Sequence, residues 1–195
     1  MVKFGSRFLS VLGAIWIGAS SPAWAQVDLA RQSAENFISG LISVSSSNDT
    51  AQVEAFLREN VDTDYIFNVA FAPVTGVVSG AQRQRIEALM LRFTATQTGT
   101  FVNYVKDGEM LLDSVAETDE GIRFRGTYRD SRGDRVFTVL MAEEPVNGRV
   151  LLRDLDVVEA PSIVENLTYA TESLAQVSPD ANIWIAAFEK ALIGE

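Results

Sequence analysis

The 195-residue sequence contains no cysteine and no histidine. The first absence excludes disulfide-stapled scaffolds and cysteine nucleophiles. Together the two remove zinc sites built on Cys or His ligands, haem held by either residue, and every Ser-His-Asp arrangement. Lysine is nearly absent, so Schiff-base chemistry would rest on Lys106 or Lys190, neither in a suggestive context. There is no Gly-Lys phosphate loop and no Gly-x-Gly-x-x-Gly, so the common nucleotide signatures are missing. Sixteen basic residues stand against 26 acids, a net charge of −10 that repels phosphate backbones, and nucleic acid is not an expected partner.

Long hydrophobic runs are also scarce. The one that occurs, Phe8 to Gly18, follows Lys3 and Arg7 and precedes Ala23-Trp24-Ala25. A short basic segment, a brief apolar core and small residues two apart have the layout of a secretory signal peptide. An uninterrupted run of this length falls below the roughly 18 residues needed to span a bilayer. Residues 1–25 are therefore expected to be removed before Gln26, leaving 26–195 as one domain large enough for a core without disulfides. Loss of Lys3 and Arg7 moves the net charge from −10 to −12.

The next stretch has helical periodicity, with Ala30, Ala34, Phe37, Ile38, Leu41 and Ile42 at spacings of three and four. Asp49 and Gln52 resemble a capping box for a second helix carrying Val53, Phe56 and Leu57. "DTDYIFNVAF" fits a third, and a long fourth helix is expected from about Ala81 to Phe101 or beyond, with Ile86, Leu89, Met90 and Phe93 on one face. After Lys106 the period changes, and four strand-like runs follow, separated by "TDEG", "SRGD" and "PVNG". Ile122, Phe124 and Tyr128 alternate with Arg123, Arg125 and Arg129, which predicts one apolar and one wet face. Val136–Met141 and Val150–Val158 are more continuously apolar and read as central strands covered on both faces. Pro161, with Ser162 and Glu165 as a capping box, starts a helix. Ser178-Pro179 starts a last one bearing Ile183, Trp184, Ala187, Phe188 and Leu192. The order of helices, meander and helices predicts an α+β class: a curved antiparallel sheet of about four strands packed against N- and C-terminal helices.

Paired carboxylates are the remaining chemistry. Asp62 with Asp64, Glu143 with Glu144, and Asp154 with Asp156 are candidates for acid and base, the last pair on one side of a strand. In so acidic a chain such pairs read first as a solvated edge. Apolar material is more prominent: a bent sheet capped by helices leaves room for a pocket of several hundred Å³ lined by aliphatic and aromatic side chains.

"RDLDVVEAPSIVENLTYATESL" followed by "DANIWIAAFEKAL" resembles the C-terminal signature of the MlaC/Ttg2D family, periplasmic phospholipid-binding proteins also called toluene-tolerance auxiliary proteins. The match falls on Asp154, Val157, Val158, Glu159, Ser162, Val164 and Asn166, with support from "VDTDYIFNVAF", from Gln82 and Arg83 in "SGAQRQRIEALMLRF", and from Tyr104. Ala160-Pro161 replaces the family's usual Gly after the Glu. The resemblance implies an NTF2-like, MlaC-like fold and a periplasmic carrier holding the acyl chains of a phospholipid between sheet and helices. It implies lipid exchange with an inner-membrane ABC transporter complex and an outer-membrane lipoprotein complex, with no cofactor and no catalysis. The pocket is expected to be lined from Phe93, Tyr104, Phe124, Phe137, Val139, Met141 and Val157, while Asp154 and Ser162 fix a strand end and a helix cap. Two other readings stay open: an adaptor with a filled core and an exposed apolar patch, and a hydrolase whose cavity holds carboxylates of raised pKa.

Overall fold

The computed structural model describes residues 22–47, 49–76, 78–105, 108–157, 162–177 and 180–193. Four helices come first: α1 (Pro22–Ser45), α2 (Thr50–Asn60), α3 (Thr63–Ala70) and α4 (Gly80–Val105). Four strands follow, β1 (Glu109–Thr118), β2 (Gly121–Asp130), β3 (Gly133–Met141) and β4 (Leu152–Val157). Helices α5 (Ile163–Val177) and α6 (Ala181–Ile193) close the chain. The α+β class expected from the sequence is the one found.

Each helix buries its apolar stripe. Ala30, Ala34, Phe37 and Leu41 of α1, Val53 and Leu57 of α2, and Ile86 and Met90 of α4 are closed to solvent. Burial along α1 begins at Val27, whereas Trp24 is 67% exposed. Helix ends follow local chemistry. Asp49 caps α2 by accepting from the Ala51 and Gln52 N–H groups, and the Gln52 amide returns to the Asp49 carboxylate at 3.0 Å rather than to its backbone. Ser79 and Gln82 form the reciprocal capping box at α4, as Ser162 and Glu165 do at α5, both Ser162–Glu165 bonds being 3.1 Å. On α3, α4 and α6 an aromatic cluster joins the helices: Phe67 stacks on Phe71, Phe71 meets Trp184 and Phe188, and Phe93 tilts against Phe188 with centroids 6.0 Å apart.

The sheet is an antiparallel meander in the order β1-β2-β3-β4. Its first two turns carry glycines at positive φ, Gly121 at 134° and Gly133 at 117°. In the longer β3–β4 connection Asn147 and Gly148, at φ 52° and 76°, turn the chain between the bridged residues Val146 and Arg149. Register places Phe124 opposite Val139 and Val139 opposite Leu155, all on the side α1 packs against; Arg31 of α1 covers the Phe124 ring and donates to the Leu112 carbonyl at 3.0 Å. Register breaks at Leu112/Ser114 and at Leu140/Met141 bend the outer strands.

Two sequence expectations need correction. β4 is covered on both faces, but it lies at the sheet's edge, and its outer side is taken by a parallel bridge from Val61, with the Asp62 N–H donating to the Leu152 carbonyl at 2.7 Å. Ile183 of α6 is 53% exposed, because Trp184, Ile185 and Phe188 fill that helix's buried stripe. Ser178 and Pro179 lie outside the described residues.

Gly126 sits where a side chain has no room: an added Cβ would collide with the Leu111 carbonyl and the Phe137 ring. Gly126→Ala should destabilise the fold by about 1–3 kcal/mol in urea denaturation. Gly80→Ala, with nothing within 4 Å of the new Cβ, should be neutral or stabilising by up to about 1 kcal/mol.

Candidate functional site

The two faces of the sheet offer two different environments. On the face toward α1, Phe124, Phe137, Val139 and Met141 come together from β2 and β3, each no more than 1% exposed. Val157 lies beside them on β4, opposite Phe137, and is half-buried. Phe93 is placed against Phe188 in the helical aromatic cluster. The Tyr104 side chain lies outside the described residues, as do Val158 to Pro161. Five of the seven expected lining residues therefore share one face, and its central four are packed core.

That apolar face does not stop at the buried residues. In β1, Met110 faces Tyr128, Leu112 faces Gly126 and Val115 faces Phe124. Met110 and Leu112 are half-buried, and Val115 is 38% exposed. The face thus grades from closed core at β3 to a solvent-reachable lip at β1. Sequence reasoning did not single out these residues. The signal was present in the spacing of Met110 and Leu112, but Asp113 and the register break hid the phase of Val115.

The opposite face holds a cavity of about 320 Å³ between β3, β4, α3 and α5. Tyr65, Val69, Glu120, Arg123, Thr138, Leu140, Asp154, Asp156, Ser162, Val164 and Glu165 line it. The register sets this out: Arg123 faces Leu140 and Leu140 faces Asp154, while Arg125 faces Thr138 and Thr138 faces Asp156. Asp154 Oδ1 accepts from Leu155 N–H at 2.9 Å and from Val164 N–H at 3.1 Å, and its carboxylate is also bonded to Ser162. It caps α5 from a neighbouring strand alongside Ser162, whereas the sequence assigned Asp154 to the strand end and the cap to Ser162. Burial still outweighs these bonds and pushes its pKa above the ordinary carboxylate range. Asp156 is raised too, by burial first and by Glu165 second. Asp154 and Asp156 do project to one side of the strand, but they wall a cavity rather than a solvated edge. Tyr65 is raised by burial and by Glu120, with Arg153 stacked on its ring acting the other way. Among the described residues no group of His, Cys, Asp or Glu is placed to hold a metal ion.

No protein-family model and no curated protein matches this chain. Among solved structures it is similar to the phospholipid-binding protein of Ralstonia solanacearum, determined in complex with a phospholipid. The TM-score is 0.66 at 11% identity, over 88% of this chain and 97% of the other. The likeness is one of fold.

The raised carboxylates give the outer cavity a pH signature. A carboxyl whose folded pKa lies above its unfolded one binds its proton more readily when folded, so its contribution to stability weakens as pH rises through that interval. Asp156→Asn should therefore be more stable than the parent near neutral pH, by about a few tenths of a kcal/mol, because it removes a charge held partly out of water and beside Glu165. The gap should close as pH falls toward about 4, the unperturbed aspartate range. Paired thermal denaturation curves across that range would measure it.

Proposed function

We propose that the protein is a phospholipid-binding carrier, the acyl chains of its ligand lying along the sheet face formed by Phe124, Phe137, Val139, Met141 and Val157. The observation that carries this reading is the continuity of that face: three strands supply its closed floor, and Met110, Leu112 and Val115 extend it to solvent. Support comes from the shared fold of a protein solved with a phospholipid bound. The C-terminal signature through Asp154, Ser162, Val164 and Asn166 supports it from the sequence side.

The reading extends to the cell. A leader of residues 1–25 would deliver the chain to the periplasm, where it would shuttle lipid between an inner-membrane ABC transporter complex and an outer-membrane lipoprotein complex. Water makes such a carrier necessary: two acyl chains of about 16 carbons cost roughly 0.8 kcal/mol per exposed CH₂, well over 20 kcal/mol in all. Replacing water with side chains is enough, so the role needs no catalysis and no cofactor. The hydrolase reading has the raised pKa values of Asp154 and Asp156 in its favour. Against it, Asp154 is committed to Leu155, Val164 and Ser162 and is not free to move protons on a substrate.

Mass spectrometry of organic extracts from the purified protein tests the carrier directly. Diacyl lipid at near one-to-one stoichiometry is the expected result. Val115→Asp, a change at a half-open position, should lower lipid content about tenfold or more while circular dichroism stays unchanged, since burying a valine contributes about 1.5 kcal/mol or more. Absence of lipid, even after incubation with liposomes, would sink the reading.

A further inference from the structure

The geometry points to the cavity between β3, β4, α3 and α5 as a binding site for a small organic ammonium ion with a compact apolar body. This site lies on the sheet face opposite the proposed lipid face and does not rest on that proposal.

Its volume, about 320 Å³, is at the lower end of small-molecule sites. The walls have three parts. Val69, Leu140 and Val164 give apolar surface to a ligand body. Glu120 and Arg123 neutralise each other at one side through a 2.7 Å ion pair. Asp154, Asp156 and Glu165 then remain, and among the described residues no further Lys or Arg lines the cavity with them.

Those three acids are not equally engaged. Asp154 accepts from two backbone N–H groups and is bonded to Ser162, and Glu165 accepts from the Ser162 N–H at 3.1 Å. Asp156 accepts no hydrogen bond among the described residues, although it is half-buried and faces the like charge of Glu165. A partly desolvated carboxylate without a donor, beside apolar wall, is complementary to a donor that brings its own positive charge. An ammonium group offers three donors on one charge. A bare metal ion does not fit, since among the described residues the acids do not converge as a ligand set. Cavity volume and apolar wall together therefore select an organic cation, with its nitrogen at Asp156 and its carbon body against Leu140 and Val164.

Cyclohexylamine, cyclohexanol and cyclohexanecarboxylate share a skeleton and differ in charge, and amide NMR titration of the purified protein with each tests the assignment. Saturable shifts at Thr138, Asp156 and Val164 are expected with the ammonium ion, together with at least about tenfold weaker binding of the alcohol and the carboxylate. Asp156→Asn should weaken the amine about tenfold, whereas Asp28→Asn, an exposed acid on α1, should leave it unchanged. Equal binding of amine and alcohol would overturn the proposal. So would non-saturating shifts spread over the acidic surface, an Asp156→Asn protein that binds as tightly as the parent, or an equal loss in Asp28→Asn. Lipid content measured on the same samples separates this outcome from the fate of the carrier reading.

Discussion

The pairing of Phe124 with Val139 fixes the rest of the molecule. Side chains alternate across a sheet with a period of two, so this register sends Phe124, Tyr128, Phe137, Val139 and Met141 to the α1 side and Arg123, Arg125, Thr138 and Leu140 to the side of α3 and α5. A slip of one residue would put arginines into the core beneath α1. Burying even one charge unpaired costs several kcal/mol, so alternation in β2 enforces its own register. Gly126 belongs to the same constraint: it lets the Phe137 ring and the β1 backbone close over β2 where a side chain would hold them apart.

β4 translates that register into the positions of the helices. Leu152 receives the Asp62 N–H through its carbonyl, and Arg153 pairs with the Asp62 carboxylate at 3.0 Å while lying over Tyr65. Asp62 also caps α3 by accepting from the Tyr65 N–H. Asp154 then caps α5. Three consecutive residues thus anchor two helices to one short strand, with polar bonds that are directional where apolar packing is not. The outer cavity is a consequence: α3 and α5 are held at β4 by their ends, and the sheet surface between those attachments is only partly filled.

Much of this was legible in the sequence, and what was missed shares a cause. Turn chemistry at "TDEG" and "SRGD", helical spacing in α1 and α4, and the Ser162–Glu165 box are local signals, written within a few residues, and the structure follows them. The Arg/apolar alternation of β2 marked the two faces correctly. The bridge from Val61 to Leu152, the ion pair from Asp62 to Arg153 and the placement of Phe93 against Phe188 join positions about 90 residues apart, and no local pattern encodes which partner is met. β4 read as central because its residues are apolar on both faces, yet helices rather than neighbouring strands supply that burial. The solvent-reachable part of the candidate lipid face was hidden for a different reason, since an extra residue near Asp113 shifts the phase of β1 midway.

In the proposed carrier, tight burial and ready release would pull in opposite directions, and β1 is where the fold would reconcile them. Among the described residues the strand is an unpaired edge of the meander, and Glu109, Asp113 and Glu117 are exposed along it. Charge along an edge discourages pairing with another chain, so the edge can stay unpaired without inviting aggregation. Its apolar residues are only half covered, so opening there exposes less new surface than parting α1 from the packed floor of Phe124 and Val139. In the proposed carrier, the acids on the same strand would also repel anionic headgroups and keep this edge from adhering to a membrane. Depth of burial at β3 and exposure at β1 are therefore complementary halves of one apolar face, which in the proposed carrier would serve retention and exchange.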